Sequence, residues 1–574
     1  MKKSLLVFAF VAAFNLFAYG VEDYGIGLVF FYSSTSLLVF LAVSLDKKFL
    51  KLKSLFLATA LFSSLMPLFT DNDFIQSLDK KVLFASLYLM VFINAVDRFR
   101  GGVIWWLVNI TNSLLVFIQT IFRQNIRIRS KIKKVVQLIK PILLSLLVLV
   151  VFGSILSSAD PVFSKVLEEL VGNISAEWLS RLVMTTIVGL VFAAVFSFRF
   201  DTKKIGPVFP SLSFSEIVFP GIALILLFGL FIFVQIKYLF AGHLDLQLMN
   251  LSYSDYVRQG FTQLLTASFL GEVIVFLFYL KSKHLDNSKF KKAIKFIEIG
   301  LICELIVILA SAAKRNWIYI ETYDLTRIRW VGAVFVGWLA VVYLLNLVLV
   351  LIPKLKEKVF TFGLVGISLF AFLILNLVNM DQLIASHLPS DTFDSADYLY
   401  LSYLSSDIVK TWHYSIEGIE QELDVLFAKD QLTADERKYL ASLKLAVVNL
   451  KIRRDKLLIK YEPSQEKAQK IYCDSISDNN LCPKSELPHS IVNLRQWQNY
   501  QLSEYKAYQY ILTHQQDFDH LNRLLVKIAN YQNRVGMSLN QEMRWRIFQF
   551  ETPLVNTRNN SKFFDLVRED EFDR

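Results

Sequence analysis

The fold is decided by the stretch Phe261-Thr-Gln-Leu-Leu-Thr-Ala-Ser-Phe-Leu-Gly-Glu-Val-Ile-Val-Phe-Leu-Phe-Tyr-Leu280, which directly follows the polar segment Ser252-Tyr-Ser-Asp-Tyr-Val-Arg-Gln-Gly260. A bilayer core about 30 Å thick is crossed by roughly 20 apolar residues in a helix, so this stretch predicts a membrane span. Its one carboxylate, Glu272, lies near mid-depth. An ionisable side chain at that depth is costly unless it is paired, which makes Glu272 a candidate functional residue.

The whole chain has the composition of a membrane protein. Of its 574 residues, 54% are hydrophobic and 19% are charged, whereas soluble domains average about 25% charged residues. The apolar residues fall in blocks that predict the spans 4–19, 28–44, 54–70, 82–96, 141–157, 181–199, 217–238, 261–280, 293–312, 329–352 and 358–378. The sequence therefore predicts an all-α fold, a polytopic transmembrane helix bundle of about 11 spans over residues 1–380. A soluble helical domain is predicted over residues 381–574.

Two segments have more than one interpretation. Residues 103–122 are apolar, but basic residues flank them on both sides, and a single crossing would leave one basic cluster outside. We expect an interfacial or re-entrant helix there. Residues 1–19 fit either a cleaved signal peptide or an uncleaved first span, and we expect the uncleaved span because further spans follow at once.

The formal net charge of +11 belongs to the loops between the predicted spans. Residues 381–574 hold 24 Lys and Arg and 28 Asp and Glu, so the positive excess lies in the membrane region. Alternate loops carry it, which predicts a cytoplasmic N-terminus and an extracytoplasmic C-terminal domain, with the loop 313–329 as an exception. Because this charge sets orientation, we expect no nucleic-acid partner.

The C-terminal region is predicted to consist of helices. Thr433-Ala-Asp-Glu436 has the spacing of a capping box and begins a helix that extends to about Tyr461. A second helical stretch covers about residues 490–533. Cys473 and Cys482 flank a polar loop and would form a disulfide in an oxidising compartment, with free thiols as the alternative. Two cysteines without nearby histidines make a poor zinc site, so no metal is expected.

Several segments, in this order, resemble those of a bacterial polytopic membrane family known as domain-of-unknown-function groups 4153 and 4173. They are Asn15-Leu-Phe-Ala-Tyr-Gly20 with Gly25-Ile-Gly27, Ser157-Ser-Ala-Asp-Pro-Val-Phe163, Tyr253-Ser-Asp-Tyr-Val-Arg-Gln-Gly-Phe261, Tyr323-Asp-Leu-Thr-Arg-Ile-Arg329, and Asn376 and Asn379 with Asp381. The resemblance implies a multi-pass fold in the bacterial cytoplasmic (inner) membrane and no established activity. Two departures are Asp324, where a glycine is expected, and Arg327, where an acidic residue is common.

A second carboxylate lies at the same predicted depth as Glu272. Glu304 is 11 residues into the following span, and at 1.5 Å per residue both groups lie about 16 Å deep. Consecutive spans are usually neighbours, and Ser268, Gly271 and Gly300 would permit close approach. Two facing carboxylates would share a proton, the basis of proton relays and cation sites. The alternative is a neutral glutamic acid hydrogen-bonded to a neighbouring helix.

A second set of candidates falls near the predicted outer ends of the spans. Arginine pairs with carboxylates in bidentate fashion and tyrosine stacks or hydrogen-bonds, so this mixture suits an anionic or polar ligand. The alternative is a set of salt bridges that lock the helix ends and dock the C-terminal domain. The residues are Asp160, Tyr253, Asp255, Tyr256, Arg258, Arg315, Tyr319, Tyr323, Arg327 and Arg329.

The sequence contains no enzyme signature such as HExxH, a Walker A loop or a GxSxG elbow, and no cofactor is expected. Two functions remain. The first is a transporter-like or ligand-binding bundle centred on the midplane carboxylates, with a small polar or ionic ligand. The second is a membrane-anchored envelope interaction or sensing protein that acts through its C-terminal helical domain on an envelope protein partner. The lipid bilayer is a partner in both.

Overall fold

All regular elements in the described part of the chain are helices, so the predicted all-α fold class is confirmed. The computed structural model describes residues 9–18, 21, 25–44, 50–96, 130–171, 214–236, 253–282, 288–352, 357–387, 397–475, 492, 495–536 and 538–539. The predicted span 181–199, the helix at 103–122 and the C-terminal tail lie outside these residues.

In chain order the helices are α1 (Ala9–Ala18), α2 (Ile26–Ser44), α3 (Leu50–Leu65), α4 (Asp73–Val96), α5 (Ser130–Ala159), α6 (Pro161–Val171), α7 (Phe214–Gln235), α8 (Tyr253–Ser282), α9 (Ser288–Tyr323), α10 (Arg327–Leu351), α11 (Glu357–Leu377), α12 (Met380–His387), α13 (Tyr398–Tyr403), α14 (Val409–Phe427), α15 (Ala434–Tyr461), α16 (Gln465–Ser475), α17 (Leu502–Thr513) and α18 (Gln515–Val535). Three short 3₁₀ turns lie at Met66–Leu68, Ser406–Ile408 and Trp497–Asn499.

The chain divides into two compact units. The terminal unit comprises Met1–Arg100 and Leu375–Arg574, and the central unit comprises Gly101–Ile374. The described helices of the first hundred residues therefore belong to the same compact unit as the C-terminal helices. The sequence-based division at residue 380 concerns which part lies in the membrane, and it stays a prediction.

Among the described residues, five helices are long and apolar enough to cross a membrane, and a sixth is added if α11 and α12 form one bent span. The five are α2, α7, α10 and the apolar parts of α8 (Gly260–Tyr279) and α9 (Ser288–Glu321). They coincide with the predicted spans 28–44, 217–238, 261–280, 293–312 and 329–352. Several helices of this kind make the chain a multi-pass membrane protein.

The predicted number of about 11 spans is larger than this count. At the predicted spans 54–70 and 82–96 lie α3 and α4, which are shorter or more charged than the other apolar helices. Their charged residues are Lys51 and Lys53 at the start of α3, and Asp73, Asp79, Lys80 and Lys81 in α4. The apolar part of α5 is Leu144–Ala159, a stretch shorter than the five long apolar helices.

The central unit is a bundle whose helix directions follow from paired contacts. Helices α5, α7 and α9 run in one direction, and α8 and α10 run in the opposite direction. Two contacts per helix pair fix these directions. Between α5, with Asp160 directly after it, and α7 they are Phe152–Phe228 and Asp160–Gln235, and between α7 and α9 they are Gly221–Ile297 and Gly229–Glu304. Between α8 and α9 they are Gly260–Arg315 and Gly271–Leu305, and between α8 and α10 they are Ser268–Tyr343 and Glu272–Asn346. The orientation of the bundle relative to the two sides of a membrane stays a prediction.

The C-terminal helices α14, α15, α17 and α18 enclose a core of their own around the fully buried Trp412. The predicted capping box is present, since Thr433 Oγ1 accepts the N–H of Glu436 while the Glu436 carboxylate accepts the N–H of Thr433. The helix that it begins ends at Tyr461, as predicted. The predicted helical stretch 490–533 is interrupted at His514, where α17 ends and α18 begins.

Within the terminal unit, a loop before α17 packs on the start of α2. The N–H of Ile26 donates to the Tyr500 carbonyl at 2.8 Å. A Cβ at Gly25 would overlap the backbone of Gln498 and Asn499. The glycine of this motif is required because two backbone segments touch here, and only a residue without a side chain permits that approach.

Candidate functional site

Glu272 lies on the face of α8 that packs against α10. Its side chain is 6% exposed, and Asn346 Nδ2 donates to its Oε1 at 2.8 Å. One turn earlier, the Tyr343 hydroxyl donates to the Ser268 carbonyl at 2.9 Å, which fixes α10 against α8 at the same level. Glu272 Oε2 has no hydrogen-bond partner in the described part of the chain.

Glu304 lies on a different seam of the same bundle. On α9 it faces α7, where a Cβ added to Gly229 would lie 3.3 Å from Glu304 Oε1. Helices α8 and α9 approach closely through Gly271 and Leu305, but the one hydrogen bond of Glu272 leads to α10. Among the described residues neither carboxylate hydrogen-bonds the other, so a proton shared between them stays a prediction.

A fully buried ion pair joins the C-terminal part of α9 to the end of α5. Arg315 on α9 is 0% exposed, and its Nη2 lies 2.8 Å from Asp160 Oδ2. Its Nη1 donates to the Ala159 carbonyl at 3.0 Å. Asp160 also caps α6, because its Oδ1 accepts the N–H groups of Val162 and Phe163. One carboxylate therefore stops α5, starts α6 and neutralises the guanidinium.

Two further polar side chains, Gln235 and Ser311, extend the hydrogen-bond network of this ion pair. Gln235 Nε2 donates to Asp160 Oδ2 at 2.5 Å, and Ser311 Oγ donates to Gln235 Oε1 at 3.0 Å. Gly260 at the start of the apolar part of α8 leaves the space that the Arg315 guanidinium occupies, since a Cβ there would overlap it. The sequence analysis selected Asp160 and Arg315 but not Gln235 or Ser311. Gln235 could have been found from the sequence, because it is a single amide at the end of an otherwise apolar span.

The remaining candidates of the predicted outer-face cluster separate into two groups. Arg329 stacks on Tyr319, with its Cζ 3.8 Å from the ring centre, and it donates to the Asp324 carbonyl. Asp324 has φ +57°, the left-handed conformation that favours glycine, which accounts for the glycine expected there. Tyr253, Tyr256, Arg258 and Tyr323 lie at the ends of α8 and α9, and their side chains are outside the described part; Arg327 begins α10.

The terminal unit contains an acidic cluster that sequence reasoning missed, apart from Asp381. Three carboxylates meet where the loop before α4, α12 and the 3₁₀ turn at 406–408 approach one another. Asp71 accepts the Ser406 hydroxyl at 2.5 Å, Asp381 accepts the N–H of Ser405 at 2.9 Å, and Asp407 accepts the hydroxyls of Thr70 and Ser405, each at 3.2 Å. The signal was absent from the sequence because Asp71 is more than 300 residues from the other two carboxylates.

Negative charge predominates in this acidic cluster. Burial and, to a smaller extent, the neighbouring carboxylates of Asp71 and Asp381 together raise the pKa of the Asp407 carboxyl from 3.8 to about 6. A cation lies beside the cluster, since Arg453 Nη2 is 3.7 Å from Asp71 Oδ2. Arg453 also donates to the carbonyls of Ser402 and Leu404. This guanidinium therefore contacts one carboxylate of the cluster and two carbonyls.

Cys473, near the end of α16, is disulfide-bonded, whereas Cys303 is a free thiol. Cys482, the predicted partner of Cys473, lies outside the described residues, and the pairing stays a prediction.

A family model described as a domain of unknown function, DUF4153, matches residues 56–412. The chain belongs to this family. No curated protein and no solved structure matches it. The matched region of this DUF4153 protein contains Glu272, the Arg315–Asp160 pair and the acidic cluster up to Asp407, and it ends before α15 to α18.

Breaking the buried pair in the DUF4153 protein should be strongly destabilising. In Arg315→Met, the Asp160 carboxylate loses its counter-ion inside the bundle, and in Asp160→Asn the cap of α6 is kept while Arg315 loses its anion. Each change should lower the free energy of unfolding by about 3–5 kcal/mol, and the double variant should lose less than the sum. Denaturant unfolding in detergent micelles measures this. Glu321→Gln, at the exposed end of α9, is the control and should change stability by less than about 0.5 kcal/mol. Single variants that behave like this control would contradict the assignment.

The acidic cluster predicts a pH-dependent stability. Because the pKa of Asp407 is raised on folding, the folded protein holds that proton more tightly, and stability falls as pH rises from about 4 to about 6. Asp407→Asn removes this loss, so the melting temperature of the variant should exceed that of the parent above pH 6 and approach it near pH 4. The exposed Asp430→Asn should show no such trend. A variant less stable than the parent by the same amount at every pH would refute the electrostatic account.

Proposed function

We propose that this DUF4153 protein is a transporter-like membrane protein whose central unit binds or moves an ion or a small polar solute. The observation that carries this proposal is Glu272, a buried carboxylate inside an apolar helix with a donor on only one of its oxygens. A buried polar atom without a partner costs about 1–3 kcal/mol, and more when it is charged. A residue that served packing alone would be better replaced by leucine, so the carboxylate is best explained by a function.

The seam between α7 and α9 supports the same proposal. Glu304, Ser311 and Arg315 lie seven and four residues apart, which places them on one face of α9. All three contact α7, through Gly229 or Gln235. Polar side chains therefore follow this seam from the middle of the bundle to the buried ion pair at its end. A row of ionisable and polar groups of this kind is typical of ion and proton pathways.

The proposed topology has about 11 spans, a cytoplasmic N-terminus and an extracytoplasmic C-terminal domain in the bacterial inner membrane. Its support is the distribution of Lys and Arg among the loops and the chemistry of Cys473. Disulfides persist in oxidising compartments and are rare in the cytosol, so the disulfide-bonded Cys473 favours an extracytoplasmic location for α16.

A second candidate function is interaction with an envelope protein, or sensing, through the C-terminal helices. The supporting observation is that α14, α15, α17 and α18 bury a core of their own, with Trp412, Leu440 and Leu521 each 0% exposed. A region with its own core can present a fixed surface to a partner. If this is the function, a chain without residues 434–574 should lose activity, whereas substitutions at Glu272 should leave the activity intact.

The first function predicts a flux that depends on Glu272. Purified protein in liposomes that contain a pH-sensitive dye should take up protons or exchange them for sodium or potassium ions when a membrane potential is applied. Glu272→Gln keeps the side-chain volume and the Asn346 contact but cannot ionise, so its flux should fall to that of empty liposomes.

The control is Glu321→Gln, an exposed residue on α9, which should keep the parental flux. Insertion of each variant is checked by its yield and melting temperature in detergent. Parental flux in a well-folded Glu272→Gln variant, or no flux above empty liposomes in the parent, would contradict the proposal.

A further inference from the structure

The terminal unit contains a cavity of about 370 Å³ between the end of α3, the start of α4 and the break between α11 and α12. Its volume falls in the range of small-molecule sites, about 300–1,000 Å³. Most of the wall is apolar. The lining residues are Met66, Phe69, Thr70, Asn72, Ile75, Leu375, Asn376, Leu377, Val378, Asn379 and Met380.

A buried carboxylate lies directly behind this wall. Asp79 is one turn beyond Ile75 on the same face of α4, and it is 0% exposed. Its polar neighbour is the side chain of Asn376, which lines the cavity. In the described part of the chain neither Asp79 oxygen has a well-formed hydrogen bond. The Asn376 side chain therefore neighbours both a buried carboxyl group and a space large enough for a ligand.

The cavity also lies at a discontinuity in an apolar helix. The axes of α11 and α12 differ by 56°, and the bend falls at Val378 and Asn379, both in the cavity wall. Discontinuous helices are where many membrane transporters place their substrate and ion sites, because the interrupted backbone leaves polar groups for the ligand. The bend therefore supports a binding role for the cavity on grounds separate from Asp79.

The chemistry of the wall favours an organic cation over a metal ion. Calcium and magnesium prefer six or more oxygen ligands, but the polar side chains here already have partners. Asn72 Oδ1 accepts two N–H groups of α4, Asn379 Oδ1 accepts the N–H of Gln382, and Thr70 donates to Asp407. Among the described residues no three His, Cys, Asp or Glu side chains are placed to hold a metal.

The two Asp79 oxygens lack donors, and a primary ammonium group has three. A quaternary ammonium has none, and a neutral alcohol brings one donor and no charge. The apolar wall, with Phe69 at its rim, suits the hydrocarbon part of such a ligand, and an aromatic ring also attracts a cation. The neighbouring acidic cluster of Asp71, Asp381 and Asp407 adds negative charge on the same side.

We propose that this cavity is a binding site for a small primary amine, with the hydrocarbon body against Phe69 and Met66 and the ammonium group paired with Asp79. The Asn376 side chain turns aside to admit it. This site is in the terminal unit and does not depend on the function proposed for Glu272.

The test uses full-length protein in lipid nanodiscs and isothermal titration calorimetry, with empty nanodiscs as the blank for partitioning into lipid. The probes are butylammonium, hexylammonium and 2-phenylethylammonium, together with the matched neutral alcohols. At least one amine should bind saturably at one site per chain, at least about tenfold more tightly than its alcohol, because a charge-assisted bond to a buried carboxylate exceeds a neutral one. This comparison needs no variant.

Asp79→Asn should weaken amine binding at least about tenfold, whereas Asp73→Asn, six residues earlier on the exposed side of α4, should not change it. Four results would each overturn the proposal: no saturable binding by any of the three amines, equal affinity for amine and alcohol, parental affinity in a folded Asp79→Asn variant, or displacement of the amine by millimolar sodium or magnesium chloride alone.

Discussion

The buried pair of Arg315 with Asp160 is the interaction on which the central unit depends. An apolar helix bundle offers no water to a guanidinium, so each of its donors has to be satisfied by protein. Here the two Nη groups donate to the Asp160 carboxylate, the Ala159 carbonyl and Gln235 Oε1. Gln235 also links the carboxylate to α7, and Gly260 of α8 leaves the required space. Helices α5 to α9 therefore meet at one side chain. The pair determines how these helices pack together, and it involves neither Glu272 nor Asp79.

Among the described residues, Oε2 of Glu272 and both carboxyl oxygens of Asp79 are buried and lack a hydrogen bond of this kind. Glu272 has one donor, Asn346, and Asp79 has only the loose contact with Asn376. The difference from Asp160, which accepts bonds at both oxygens, is large in energetic terms, since an unsatisfied buried group costs about 1–3 kcal/mol. Both residues lie in the membrane-embedded or adjoining part of a DUF4153 chain, one in each unit. The unsatisfied oxygens of Glu272 and Asp79 lower the stability of the fold, and we infer a function for both residues from this cost.

Sequence patterns were sufficient for the helical class, the positions of the longest apolar helices and the capping box at Thr433. They also selected Glu272, Asp160 and Arg315, whose functional roles stay predictions. They were not sufficient for the partners of these residues. In the sequence, Asn346 and Gln235 are isolated amides. Their partners become visible only in the packed structure, because the sequence does not show which helix each helix face contacts. The same holds for the grouping of the first hundred residues with the C-terminal helices and for the acidic cluster, which joins segments far apart in sequence. The number of spans stays a prediction, because α3 and α4 combine apolar residues with charged ones and the predicted span 181–199 lies outside the described residues.

The central claim is that water or a polar solute reaches Glu272 inside the bundle. The most direct test is the reactivity of a cysteine at that position with a water-soluble, charged thiol reagent, in membranes and in a Cys303→Ser background. Glu272→Cys should react at least about tenfold faster than Phe269→Cys, which replaces an exposed residue on the apolar surface of the same helix, because only a hydrated thiol ionises and reacts readily. A Glu272→Cys variant that folds and inserts but is as unreactive as Phe269→Cys from both sides of the membrane would contradict the account.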